Sequence, residues 1–283
     1  MASSLPSSSV IVTTYNDPDK LALVLAGLAR QRVQPGEIVI ADDGSTFDTE
    51  RLVESWRGRM PAPLTHVWQA DRGFRKMRVC NLAVLHSRGE RLLFLDGDAV
   101  PHYLWVEDHL VDAHRADVLC GRRVKLGPAA TARVDAACVR DGELERPTGP
   151  LLASALRGGT KRYALGIRLW PPLAHALHPR PRKLMGVNFS VSRRAFEAVN
   201  GYNHDAPAKR EDRELELRLL RSGARFAALL NRAIVYHLHH PHAPASAGDE
   251  QHMTELECGS DIICRNGLRQ VADGGEATDR RVA

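Results

Sequence analysis

The sequence predicts an α/β fold built on a mostly parallel sheet, on three observations. Short apolar runs alternate with stretches of helical periodicity over the first 120 residues, as strands do when crossover helices link them. One run, residues 92–95 in RLLFLDGDAV, is apolar without a break, as a strand buried on both faces must be. Three of the expected strands end in ligand-type residues: Thr13 and Tyr15, Asp42 and Asp43, Asp96 and Asp98. Open α/β sheets bind ligands in the crevice at the carboxyl ends of their strands, so these positions are expected to share one site.

Each element has its own reason. Residues 1–8 are a polar, Ser-rich lead, expected to be disordered. Val10, Ile11 and Val12 form the first strand. Asp17 is placed to cap the next helix, with Pro18 at its first position, where no N–H is needed. Leu21, Val24, Leu25 and Leu28 give that helix one apolar face. Residues 37–41 make the second strand, which runs into Asp42-Asp43-Gly44-Ser45; a helix follows with Leu52, Val53 and Trp56 inward. Residues 64–68 are a third strand, 76–87 a third helix and 92–95 the fourth strand. Residues 9–121 thus read as a nucleotide-binding half.

The pattern weakens over residues 122–183, with Gly-Pro steps, many Arg and Lys, and an apolar-basic stretch at 151–177 around Trp170-Pro171-Pro172. A variable insertion with one amphipathic helix is expected, an acceptor-side element or a membrane-surface patch being the alternatives. A strand returns at 184–191, then a short helix from Arg194 and a turn at Gly201. Residues 211–221 are strongly periodic: Asp212, Leu215 and Leu219 fall at i, i+3 and i+7, which puts Asp212 on the inward face of the first turn. Glu214 and Arg218 are spaced to pair. Residues 224–230 and 233–238 are late strands, the second carrying His237, with His239 and His240 just beyond. Residues 184–242 form the second, acceptor half. The remainder, 243–283, is polar, with a helix expected over 253–269 and a disordered tail over the last dozen residues.

Composition narrows the function. In 283 residues, 43% hydrophobic and 26% charged, a full core can be buried. The net charge of +5 suits a phosphate-bearing ligand or an anionic membrane surface, and equally a basic protein with neither. The five cysteines form no CxxC pair and no signal peptide precedes them, so reduced intracellular thiols in a cytoplasmic protein are expected. No zinc-finger spacing or RNA-binding aromatic signature points to nucleic acid. The absence of GxGxxG after the first strand and of GxxxxGK[ST] anywhere argues against a Rossmann dehydrogenase and a P-loop enzyme. Asp96-Gly97-Asp98 offers two hard oxygen donors suited to Mg²⁺ or Mn²⁺, a metal that in turn binds phosphates; Asp-Gly is also ordinary turn chemistry.

The motifs SVIVTTYN, EIVIADDGS, DRGFR, FLDGD, MGVNFSVSR, REDRELELRLL and VYHLHH follow one another across residues 9–240. In that order they resemble the GT-A fold glycosyltransferases of family 2, inverting enzymes of polysaccharide and lipopolysaccharide assembly. DRGFR and the late His resemble the bacterial chondroitin-type polymerases and the galactosyltransferase C-terminal motif. The resemblance implies a GT-A fold, a nucleotide-sugar donor (UDP foremost), a Mn²⁺ or Mg²⁺ cofactor, and a glycan or lipid-linked acceptor that brings the chain to the inner face of the plasma membrane. It also implies roles. Thr13, Tyr15 and Asp42 would hold base and ribose, Arg75 the base or diphosphate, and Asp96 the ribose or metal. Asp98 and His237, with His239 as alternative, would ligate the metal. Asn188 would line the sugar or acceptor pocket and Asp212 would be the general base. The helix reads EDRE where many relatives have EDxD, which leaves the part played by Glu214 open. A sugar-nucleotide nucleotidyltransferase and a non-catalytic nucleotide-sugar-binding domain are the rival readings.

Overall fold

A computed structural model describes residues 5–146, 150–206, 210–240, 259–274 and 279–282. Its centre is an eight-stranded sheet. Strands β1 (Ser8–Thr14), β2 (Glu37–Asp42), β3 (Leu64–Trp68) and β4 (Arg91–Asp96) are parallel neighbours, in the order β4-β1-β2-β3. The connections are α1 (Pro18–Ala29), α2 (Phe47–Arg57) and α3 (Lys76–Leu85). Side chains alternate across the sheet as its pleat requires. Val10, Val12, Ile38, Ile40, Leu93 and Leu95 enter the core that holds α1. Ile11, Val39, Leu92 and Phe94 enter the core that holds α3. Asp17 caps α1 through the Lys20 N–H, with Pro18 in the first turn, as expected.

Beyond β4 the chain adds β5 (Ala99–Pro101), α4 (Trp105–Val111), β6 (Val118–Cys120) and β7 (Arg123–Leu126). The region expected as an insertion with one amphipathic helix is richer than that. It holds α5 (Pro128–Thr131), α6 (Ala136–Arg140), α7 (Pro150–Leu156), β8 (Thr160–Lys161) and α8 (Pro171–Leu177). On α8 it is Ala174 that faces inward, while Trp170, Leu173 and Leu177 are exposed. The second half supplies β9 (Asn188–Ser192), α9 (Arg193–Ala198), α10 (Glu211–Arg221), β10 (Phe226–Ala228) and β11 (Val235–His237). A separate four-stranded sheet, β5-β11-β7-β8, stands beside the main one over its own core.

Several expectations need correcting. The strand expected at 184–191 starts only at Asn188 and runs antiparallel to β4 and β6. The backbone N–H groups of Leu184 and Gly186 go instead to the carboxylates of Glu216 and Asp212 on α10, so no strand ladder is open to them. Of the helix expected at 253–269, residues 253–258 lie outside the described residues and 259–267 are not helical; α11 (Leu268–Asp273) follows. There the N–H groups of Cys264 and Leu268 bond the carbonyls of Val199 and Asn200. The tail expected to be disordered carries β12 (Arg280–Val282), antiparallel to β3 at the sheet edge, and Asp279 pairs with Arg78 of α3 at 2.8 Å. Three residues are too short to show strand alternation, and an unpaired edge beside β3 favours whatever backbone reaches it. Cys80, Cys120, Cys138 and Cys264 are free thiols, and among the described residues no helix is long and apolar enough to cross a membrane.

Candidate active site

The carboxyl ends of β1, β2 and β4 open into a cavity of about 460 Å³, whose lining includes Thr13, Tyr15, Asp43, Lys76, Asp96 and Asp98. Asp-Gly-Asp is the tight link from β4 to β5. The Gly97 N–H donates to the Thr13 carbonyl at 2.7 Å, and a Cβ at Gly97 would stand 2.6 Å from that oxygen. Only glycine lets β1 come this close, and the link puts both carboxylates on the cavity.

On one side of the cavity Asp96 is engaged through one oxygen. Thr13 Oγ1 donates to its Oδ1 at 3.0 Å and Lys76 Nζ stands 2.8 Å from the same oxygen. Burial alone would raise the Asp96 pKa, but the Lys76 ammonium and these hydrogen bonds bring it below the ordinary carboxylate value. Lys76 also lies 3.9 Å from Glu211 Oε1, so it joins the end of β4 to the start of α10. Tyr15 is exposed, its hydroxyl donating to Asp71 at 3.0 Å.

Asp98 leads to the second sheet. The antiparallel register pairs His237 with Ala99, and the Leu238 N–H donates to the Asp98 carbonyl at 2.9 Å. This sets His237 Nε2 3.5 Å and His240 Nε2 3.2 Å from the two Asp98 oxygens. One ligand atom from each of the three lies within 4.8 Å of the others. Burial lowers the His237 pKa to about 3, with Arg123 adding to the effect, so the imidazole is neutral and free to ligate. Burial, then Asp96, pushes Asp98 up to about 6, and its buried Oδ1 has no hydrogen-bond partner among the described residues. A buried carboxylate with one unsatisfied oxygen, flanked by one imidazole at each oxygen, could hold a cation, and a set of one oxygen and two nitrogens suits Mn²⁺ better than Mg²⁺.

Asp212, in the first turn of α10, is half-buried. Its Oδ2 accepts the Gly186 N–H at 2.7 Å, while Oδ1 is buried without a hydrogen-bond partner among the described residues. Burial raises its pKa to about 6, with Glu211 adding and Lys76 opposing. A carboxylate with one fixed oxygen, one unmatched oxygen and a pKa near neutrality is equipped to accept a proton.

Four expected positions fall elsewhere. Asp42 is fully buried below the crevice, accepting from the Ser45 N–H at 2.8 Å and lying 2.9 Å from His66 Nε2; Asp43 takes the place on the cavity. Asn188 is also fully buried. Its Nδ2 donates to the Arg122 and Ala233 carbonyls, and its Oδ1 accepts from Trp105 and contacts His109, which fills its hydrogen-bonding capacity as a structural hub. Arg75 bonds the Ala70 carbonyl and lines a different cavity beside α11. His239 is exposed and bonds Thr131 through its N–H, so His240 joins the cluster in its place. Glu214 forms a buried ion pair with Arg218 at 2.6 Å and does not act on the crevice. Sequence reasoning missed Lys76. The signal was its place as the first residue of α3, on the strand-to-helix connection after β3, since such connections border the crevice at the carboxyl ends of the strands.

A family model described as glycosyl transferase family 2 matches residues 9–152, just over half of the chain. Hyaluronan synthase of Pasteurella multocida is 30% identical over 112 residues, 39% of this chain and 11% of that protein. Poly(ribitol-phosphate) beta-N-acetylglucosaminyltransferase TarS of Staphylococcus aureus is 33% identical over 115 residues, 39% of this chain and 20% of that one. The matched stretch is thus a fifth or less of these relatives' length. The structure of TarS residues 1–349 with UDP-GlcNAc superposes with a TM-score of 0.58 at 19% identity, covering 88% of this chain and 65% of that one. The mannosyltransferase PcManGT from Pyrobaculum calidifontis, in complex with GDP-Man and Mn²⁺, superposes with a TM-score of 0.53 at 20% identity, over 83% and 58%.

Proposed function

The chain belongs to glycosyl transferase family 2 and has the GT-A fold, and from that premise we propose that it moves a sugar from a nucleoside-diphosphate sugar, UDP-linked foremost, to an acceptor hydroxyl with inversion. The acceptor is a glycan or a lipid-linked sugar, reached from the cytoplasmic side of a membrane. Residues 9–121 form the donor half, 184–242 the acceptor half, 122–183 the insertion between them and 243–283 the extension. One observation carries the reading: Lys76, on Asp96 at 2.8 Å and Glu211 at 3.9 Å, links the strand end that leads to the Asp98, His237 and His240 cluster with the first turn of α10, where Asp212 has an unmatched carboxylate oxygen.

The chemistry needs both. Asp98, His237 and His240 would hold Mn²⁺, which when bound neutralises the departing diphosphate. Thr13, Tyr15 and Asp43 line the wall where base and ribose would lie. Asp212 takes the proton of the acceptor hydroxyl as that oxygen bonds to the anomeric carbon. The bond from that carbon to the diphosphate oxygen breaks in the same step, and its electron pair leaves with the diphosphate. A single displacement inverts the configuration and forms no covalent intermediate.

The test is release of nucleoside diphosphate from a panel of UDP-, GDP- and dTDP-sugars with Mn²⁺, with and without EDTA. Turnover of a UDP-sugar that EDTA abolishes is expected. Failure to bind UDP with Mn²⁺ by calorimetry, together with no turnover, would sink the reading; synthesis of a sugar nucleotide from UTP and a sugar phosphate would replace it with the nucleotidyltransferase.

A further inference from the structure

A row of cations leads away from the His237 position. In the second sheet β7 lies parallel to β11, with His237 in register with Lys125, and antiparallel to β8, with Lys125 opposite Lys161. Residues in register across a sheet share a face. Along β7, Val124 and Leu126 are buried in the apolar core, whereas Arg123 and Lys125 are only partly covered and occupy the other face with His237. His237, Lys125 and Lys161 therefore form one line across three adjacent strands, at the usual spacing of about 4.8 Å per strand. Arg123 stands beside this line, two residues before Lys125.

The site's own carboxylates Asp96, Asp98 and Asp212 act on Arg123, whereas Lys125 feels only other cations. Among the described residues, Arg123, Lys125, Lys161 and Arg162 form no ion pair, and Arg123 Nε is buried without a hydrogen-bond partner. Like charges directly opposite on paired strands destabilise the pairing. The Lys125 pKa is lowered, by burial and then by Arg123, Arg162 and Lys161, which records that repulsion. Arg162, next to Lys161, has φ +61°, in the left-handed region that a non-glycine residue adopts at a cost. From Arg146 to Lys183 the sequence contains no Asp or Glu at all. A strand pair that puts lysine opposite lysine, beside an arginine with a buried unmatched nitrogen, is built for an anion that arrives from outside.

We propose that Arg123, Lys125, Lys161 and Arg162 form a subsite for a phosphate or carboxylate on the acceptor, so that the acceptor class is an anionic glycan or sugar phosphate. The inference rests on the proposed transferase reading for its choice of acceptor over donor. From His237 the row runs outward over β7 and β8 to Lys125 and Lys161, strands that do not line the donor cavity, while Arg123 stays within the field of Asp96, Asp98 and Asp212. A negative group held there sets an attached sugar beside the Asp98–His237–His240 cluster.

The test is equilibrium binding of three trisaccharides that differ in one group, a neutral one, one with a phosphate ester and one with a uronate, to the full chain saturated with UDP and Mn²⁺. Binding of one or both anionic probes at least about tenfold tighter than the neutral one is expected, and falls with added salt. Which of the two binds tighter decides between phosphate and carboxylate. Lys125→Gln combined with Lys161→Gln replaces partly or fully exposed side chains and should fold normally. It should weaken the anionic probe at least about tenfold while leaving UDP affinity and the neutral probe unchanged. Equal binding of all three probes, unaltered binding in the double variant, or displacement of UDP by the anionic probe would overturn the inference, the last by assigning the row to the donor diphosphate. Absence of UDP binding would instead count against the transferase reading, and is read in the same titration.

Discussion

Asp96 at the end of β4 and Asp212 in the first turn of α10 flank one lysine and live in opposite circumstances. Asp96 has Lys76 at 2.8 Å and Thr13 at 3.0 Å on the same oxygen, and its pKa is drawn down. Asp212 has one backbone N–H, an unmatched oxygen, Glu211 next door, and a pKa raised to about 6. Burial opposes ionisation of both, so what separates them is which one the ammonium touches. The fold favours the charged form of the acid at the end of β4 and leaves the acid on α10 nearer to changing its protonation state. Two carboxylates whose environments push their pKa values apart are suited to different tasks, and the proposed roles of binding for Asp96 and proton transfer for Asp212 follow that division.

The largest effect expected from this difference is on turnover. Asp212→Asn should lower kcat at least about a hundredfold and leave the affinity for UDP unchanged, since a general base acts only in the transition state. In the parent, kcat/KM should fall about tenfold per pH unit below about 6, as Asp212 is protonated. The stability effect has the opposite sign from an ordinary salt-bridged aspartate. A carboxyl whose folded pKa lies above its unfolded value of about 3.9 costs stability progressively as pH rises from there to about 6. Asparagine removes that cost, so the melting temperature at pH 7 should hold or rise. A variant that melts lower and keeps its turnover would show Asp212 to be a structural partner of Gly186 and nothing more.

Lys76→Met attacks the other side of the comparison. It leaves Asp96 with Thr13 as its side-chain hydrogen-bond donor and removes the ammonium 3.9 Å from Glu211. The pair is partly exposed, so a loss of about 1–3 kcal/mol is expected by urea denaturation, less than for a fully buried pair. Lys76 also lowers the Asp212 pKa, so the acid limb of kcat/KM should move to higher pH in this variant. An unmoved limb with lost stability would mean that Lys76 serves Asp96 alone.

Much of this was readable in the sequence because it rests on local rules. The Asp17–Pro18 start of α1, the break-free apolar run of β4 and the periodicity that turns Asp212 inward each follow from a few neighbouring residues. What was not readable depended on residues far apart in the chain. Asp42 and Asp43 are adjacent and both buried, and Asp43 is the one on the cavity while His66 from β3 takes up Asp42. Asn188 has the look of a pocket residue until Trp105, His109 and two distant carbonyls take up its amide. His240 rather than His239 reaches Asp98 because β11 ends at His237, after which strand alternation no longer sets the direction of a side chain.

The smallest effect asks whether the donor side is supported from outside the crevice. Arg78 lies on α3 two residues after Lys76, bonds Gln69 at 2.8 Å and pairs with Asp279, while Gln69 in turn bonds Asp43 on the cavity wall. Ending the chain at Gly274 deletes Asp279 and β12 together and exposes the edge of β3. One partly buried ion pair and three residues of edge pairing amount to about 1 kcal/mol, which for a chain of this size lowers the melting temperature by about 2–4 °C. UDP affinity should weaken slightly through Gln69 and Asp43, and the acid limb set by Asp212 should not move, because no link of this chain reaches α10. A shifted limb would show that the two carboxylates are coupled through α3 and do not answer separately to their own neighbours.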